Sequence, residues 1–109
     1  RGEKAFVLVV TLQFRDESDV MTLQAAWAAA ADYCIAHEPF LYMYEMAQSD
    51  KDPLRYTIIE RYRSKADYTG AHRHSPAFRE FRPKMKALQD SGGVTVSGES
   101  YAETGIGFT

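Results

Sequence analysis

Along this chain the spacing of apolar side chains switches repeatedly between the period of a strand and that of a helix. From Ala5 to Phe14 the run Ala-Phe-Val-Leu-Val-Val-Thr-Leu-Gln-Phe is rich in β-branched and aromatic residues and reads as a strand, apolar on both faces at its start. After the polar break Arg15-Asp16-Glu17-Ser18-Asp19, apolar residues recur at Val20, Leu23, Trp27, Ala30 and Cys34, which is one stripe of a helix. Alanines favour helix along this segment, and Pro39 pushes its predecessor out of the α region, so the spacing predicts a helix from about Asp19 to His37. From Phe40 to Ala47 the period returns to two, with Phe40, Tyr42, Tyr44 and Met46 on one face and Leu41, Met43, Glu45 and Ala47 on the other. Asp50-Lys51-Asp52-Pro53 is turn chemistry, and Arg55 to Tyr62 reads as a third strand, antiparallel to the second across a hairpin.

The next segment is punctuated by caps. Ser64-Lys65-Ala66-Asp67 fits a capping box opening a helix of about two turns, and Ser75-Pro76 restarts a second one with serine as N-cap and proline at the first helical position. The stripe of that helix is Phe78, Phe81, Met85 and Leu88; Pro83 removes a backbone donor within it and is expected to kink it. Gly92-Gly93 ends it, Val94 to Tyr101 reads as the last strand, and the glycine-containing tail Ala102 to Thr109 forms no element of its own. The order is β, α, β, β, α(α), β, without an internal repeat or linker, and the chain is read as one domain spanning residues 1–109 with a core over about 5–101.

Helices in this number cover one face of a four-stranded sheet, yet the first two strands carry apolar side chains on both. Leaving a second apolar face wet forgoes about 1.5–3 kcal/mol for each large side chain, so a second copy of the chain is the expected cover.

Composition narrows the partners. The chain has 109 residues, 45% of them hydrophobic and 13% aromatic, which suffices for a single core. A formal charge of -2 without any Lys/Arg block argues against a nucleic-acid partner, and the apolar stretch Ala25 to Ala36, interrupted by Asp32, is too short for a membrane span. Cys34 is the only cysteine, reads as a buried small hydrophobe, and favours a reducing, cytoplasmic compartment. The first residue is Arg1 rather than Met, which fits removal of an upstream tag or leader and leaves localisation open.

Chemistry concentrates around the third strand and the helix after it. Ile58, Glu60 and Tyr62 share a strand face, placing one charge among apolar groups, and a buried charge of that kind demands a partner or a ligand. His72 on the following helix can project towards Glu60, as a general base oriented by that carboxylate or as a structural link between helix and strand. Tyr44, Tyr56, Tyr62, Tyr68 and Phe78 can wall a pocket for a flat aromatic ligand or serve as core. Arg79 can counter an anionic substrate or stand as a solvated helix charge. His74 reads as exposed and His37 as a helix C-terminal cation; the three histidines show no metal-ligand spacing, so no metal site is expected. Phosphate-loop, dinucleotide, Cys-x-x-Cys and Gly-x-Ser-x-Gly motifs are all missing.

The order Glu60, Tyr62, Ser64, Ala66, His72, Ser75, Phe78, with its His-x-x-Ser-x-x-Phe segment, resembles the antibiotic biosynthesis monooxygenase family over roughly Phe6 to Tyr101. This resemblance implies an α+β fold: a ferredoxin-like βαββαβ protomer with a four-stranded antiparallel sheet, two protomers closing into a dimeric α+β barrel. It also implies cofactor-free oxidation of small phenolic, quinol or polyketide-like compounds by dioxygen, with His72 and Glu60 as the catalytic pair. A non-catalytic ligand-binding or regulatory module, or an isomerase or cyclase, stands as the alternative on the same fold. The chain lacks asparagine, and its sole tryptophan, Trp27, lies on the first helix. The Asn, Trp and His set of the family's haem-degrading branch is therefore not matched.

Overall fold

A computed structural model describes residues 4–109. Its elements are β1 (Phe6–Phe14), α1 (Glu17–His37), β2 (Leu41–Gln48), β3 (Arg55–Tyr62), α2 (Lys65–Asp67), α3 (Pro76–Asp90) and β4 (Val94–Ala102). The four strands form one antiparallel sheet in the order β2-β3-β1-β4, so the two outer connections are made by helices and the ferredoxin-like βαββαβ architecture results.

Local chemistry sets most of the boundaries. The Asp16 carboxylate accepts from the Asp19 amide and opens α1 at Glu17, three residues before the apolar stripe begins at Val20. Ser64 and Ser75 cap α2 and α3 through the amides of Asp67 and Phe78. The helix after Ser64 does not continue for two α-turns. After Asp67 it widens into a π-turn, Tyr68–His72, an uncommon geometry that is frequent at functional sites. Helix α3 runs from Pro76 to Asp90 with Pro83 inside it; Gly92 follows its C-cap Ser91 with a left-handed φ of 78°, and the Gly93 amide donates back to the Leu88 carbonyl at 2.8 Å.

Helices α1 and α3 pack on the same sheet face. Their stripes, Val20, Leu23, Trp27, Ala30 and Cys34 from α1 and Ala77, Phe81 and Leu88 from α3, close a core over Leu12, Phe14, Tyr56, Ile58 and Val94. The other face presents Val7, Val9 and Ile59 half-buried and Met43 and Tyr101 exposed, with no helix among the described residues over them. At one end of that face Arg61 grips the tail, its guanidinium bidentate on Glu103 at 2.7 and 2.8 Å and reaching Thr109 Oγ1 at 3.2 Å.

A strict alternation along β2 does not hold. Leu41 pairs with Tyr62 and Met43 with Arg61, so two steps on β2 match one on β3 and Tyr42 is the extra residue of a β-bulge. The bulge moves Leu41 onto the face of Tyr44, which pairs with Glu60, while Tyr42 goes to the Arg61 guanidinium, 5.6 Å from its ring centre. Among the described residues no helix is long and apolar enough to cross a membrane.

Candidate active site

Where the C-terminus of α1, the π-turn and β3 meet, three ionisable groups are packed under the aromatic side chains of the core. His72 is 2% exposed, Glu38 5% and Glu60 7%. Glu38, the C-cap of α1, points a carboxylate oxygen at His72 Nδ1 across 2.6 Å, and its other oxygen accepts from the Cys34 thiol at 3.6 Å. Against an ionised carboxylate, which only accepts, Nδ1 is the donor, and in the neutral form of the imidazole that leaves the lone pair on Nε2. That nitrogen faces Glu60 Oε1 at 4.0 Å, too far for a hydrogen bond. The same oxygen of Glu60 accepts from the Tyr62 hydroxyl.

Aromatic rings enclose the imidazole. Tyr44, Tyr62 and Phe78 meet it edge-on at 5.7, 5.2 and 5.7 Å between ring centres, and Tyr68 lies nearly parallel at 6.0 Å. Tyr44 in turn stacks on Trp27 at 3.9 Å, and Tyr68 on Phe6 at 5.6 Å. Removal from water dominates the electrostatics of this cage. Burial, opposed by the Tyr62 hydroxyl and assisted by the Glu38 charge, pushes the Glu60 carboxyl up to about 7. Burial and then the Glu60 charge hold the phenols of Tyr44 and Tyr62 far above their usual range, and the Tyr68 phenol is raised by the same two causes. Burial, followed by Glu38, pushes the Cys34 thiol up to about 12.

Of the residues expected to form a site, His72, Glu60, Tyr44, Tyr62, Tyr68 and Phe78 come together. Two lie elsewhere. Tyr56 is at the opposite end of β3, its ring edge-on to Phe14 at 5.6 Å in the core. Arg79 is exposed on α3, because one step past Phe78 a helix turns its side chain away from the sheet. The carboxylate that holds His72 is Glu38 rather than Glu60, because the π-turn brings Nδ1 to the end of α1 and only Nε2 towards β3. One signal for Glu38 was present in the sequence: a carboxylate at a helix C-terminus opposes the macrodipole, and next to Pro39 it must find proton donors elsewhere. Cys34 and His72 are those donors. His74 is exposed, with Nδ1 2.7 Å from the Gly70 carbonyl. Cys34, Glu38 and His72 also bring a sulfur, an oxygen and a nitrogen within 4.8 Å of one another, a donor set able to hold a metal ion.

A cleft of about 190 Å³ lies between the end of α1 and the bulged start of β2, lined by Cys34 and Tyr44 together with Ala31, Ile35, Leu41, Tyr42 and Met43, so that Cys34 and Tyr44 separate it from His72 and the two carboxylates.

Comparison with known proteins bears on the same region. The family profile of antibiotic biosynthesis monooxygenases matches residues 5–84, which contain the whole cluster. Among solved structures, a putative antibiotic biosynthesis monooxygenase from Nitrosomonas europaea is similar over 95% of this chain and 93% of its own, with a TM-score of 0.74 and 20% identity. One of the same description from Bacteroides thetaiotaomicron is similar over 100% and 98%, with a TM-score of 0.74 and 19% identity. A conserved protein from Methanosarcina mazei is similar over 92% and 93%, with a TM-score of 0.74 and 17% identity. Likeness at this identity establishes the fold. A search of curated protein sequences finds no significant match.

Proposed function

Because the chain belongs to the antibiotic biosynthesis monooxygenase family, we propose that it oxidises a small phenolic, quinol or polyketide-like compound with dioxygen, His72 taking the proton that starts the reaction. The observation that carries this reading is the Glu38–His72 hydrogen bond with Nε2 left facing Glu60 inside an aromatic cage. Glu38 fixes the tautomer whose Nε2 is basic and stabilises the imidazolium formed when it takes a proton. The Glu60–Tyr62 pair supplies a second proton carrier, poised near neutrality. Apolar rings favour a flat substrate, which enters where the cleft reaches Tyr44 and replaces part of the ring contact on His72.

In the chemistry we propose, an acidic CH₂ or enol gives its proton to His72, and the resulting anion passes an electron to dioxygen and recombines with it. The hydroperoxide loses water, with proton return from the imidazolium or Glu60, and leaves a carbonyl. One oxygen atom ends in product and one in water, and all four electrons come from the substrate, so no separate reductant enters. The open sheet face bearing Val7, Val9, Ile59 and Tyr101 supports assembly as a homodimer, face to face.

A second reading has its own support. His72 Nδ1, both oxygens of Glu38 and the Glu60–Tyr62 pair are already hydrogen-bonded within the chain, as a purely structural link or a ligand-binding module would require. Oxygen uptake with a panel of hydroquinones and anthrones separates the two. Uptake that disappears in a folded His72→Ala variant supports oxidation. Saturable aromatic binding without uptake supports the module, and turnover without uptake a non-oxidative isomerase or cyclase. A single monomeric species in sedimentation at micromolar concentration would overturn the dimer.

A further inference from the structure

Cys34 and Glu38 lie one helical turn apart at the end of α1, their backbones tied by the Glu38 amide donating to the Cys34 carbonyl at 2.8 Å, and His72 reaches the same point from the π-turn. We propose that Cys34, Glu38 and His72 Nδ1 form a binding site for one zinc-class divalent cation, entered through the cleft beside Tyr44, and that the bound cation withdraws His72 from proton transfer.

Several independent features converge on this site. The three donor atoms lie within 4.8 Å of one another, and the residues are all buried. A tetrahedral zinc site with Zn–S about 2.3 Å and Zn–N and Zn–O about 2.0–2.2 Å needs donor separations of roughly 3.2–3.7 Å. Reaching that geometry takes side-chain shifts on the order of 1 Å, which draw in the wider separations and open the 2.6 Å contact between Nδ1 and Glu38. Charge is balanced: a divalent cation with one thiolate and one carboxylate is neutral, which a buried site tolerates, and the negative end of α1 favours a cation. A thiolate ligand selects zinc, cobalt or copper over magnesium and calcium. Of the three ligands Cys34 lines the cleft, so a fourth ligand such as water would come from its side. Glu60 completes the arrangement: a histidine that binds metal through one nitrogen commonly donates the other N–H to a carboxylate, and Glu60 Oε1 stands 4.0 Å from Nε2.

The exchange balances. Without metal, Cys34 S–H and His72 Nδ1–H both donate to Glu38. On binding, the thiol proton leaves to solvent, the imidazole proton moves from Nδ1 to Nε2, and three metal–ligand bonds replace two hydrogen bonds. His72 stays neutral, but its basic lone pair is now on the metal. Only this last consequence rests on the proposed oxidation; the binding itself does not.

The test is a titration of chelator-treated protein with Co(II), then Zn(II), with no substrate present. Because Cys34 is the only cysteine, a sulfur-to-cobalt charge-transfer band can arise from no other thiol. One equivalent of Co(II) per chain should produce that band with four-coordinate d–d absorption, one proton should be released per ion, and Zn(II) should abolish the spectrum. Cys34→Ser should remove the band and weaken Zn(II) binding at least tenfold, and Glu60→Gln should weaken it about tenfold. No sulfur–cobalt band from folded wild-type protein overturns the site, as does unchanged Zn(II) affinity in Cys34→Ser; should that variant not fold, the wild-type spectrum decides alone. If the band forms and stoichiometric Zn(II) leaves oxygen uptake undiminished, the withdrawal of His72 is refuted and the binding site stands.

Discussion

Glu60→Gln isolates the cost of keeping a carboxyl group inside the aromatic cage. Glutamine retains a carbonyl oxygen for the Tyr62 hydroxyl and removes the ionisation. In the folded chain burial holds the Glu60 proton up to about 7, against 4.5 for a carboxyl in water. Between those values the unfolded chain has released its proton and the folded chain has kept it. Folding stability therefore falls by about 1.4 kcal/mol for each pH unit, in total about 3 kcal/mol. The contribution is fully present below about pH 4.5, is lost as pH rises to about 7, and is flat beyond. Glu103 acts in the opposite sense and in a different window: hydrogen bonds from Arg61 hold it down to about 2, so its contribution is lost only as acid is added below the usual carboxylate range. The assay is urea unfolding of wild type and Glu60→Gln across this range, in chelator and at one fixed protomer concentration, since association would otherwise enter the free energy. Wild type should lose about 3 kcal/mol relative to the variant between pH 4.5 and 7. A difference that stays constant across the interval would show that Glu60 is ionised throughout, and would refute the argument that burial controls it.

Further predictions concern the Trp27 packing beside the site and the glycines at the far end of the sheet. Trp27→Ala removes the plane on which Tyr44 stacks and the edge contact to Phe81 at 5.5 Å, and should cost about 3–5 kcal/mol in urea unfolding; a cost under about 1 kcal/mol would mean the stack does not hold the cage. The adjacent glycines after α3 should fail for different reasons. A Cβ on Gly93 would lie 2.9 Å from Asp19 Oδ1, whose carboxylate Arg15 holds, so Gly93→Ala should lose about 1–3 kcal/mol and Gly93→Asn more. Gly92 has open space and only its positive φ, so Gly92→Asn should retain more stability than Gly92→Ala in thermal melts.

Much of the architecture was legible because it is local. The stripe from Val20 to Cys34 became the buried face of α1, Ser64 and Ser75 became caps, and Arg55–Tyr62 became β3, since each depends on residues within one or two turns. The clearest departure on β2 is the bulge at Tyr42: alternation assumes an unbroken ladder, and one extra residue transfers Leu41 to the other face.

The sequence by itself determined the order of elements, the helix-facing side of β3 that carries Glu60 and Tyr62, and the apolar surplus on the opposite face, because periodicity, caps and side-chain alternation are properties of short segments. Only the tertiary structure decided that Glu38 holds His72. Those residues are 34 positions apart, and their 2.6 Å contact depends on where α1 ends, how the π-turn widens and how both sit over β3. No local preference places a carboxylate at the negative end of a helix. It is stable there because a thiol and an imidazole, brought in by packing, supply the hydrogen bonds that the helix terminus cannot.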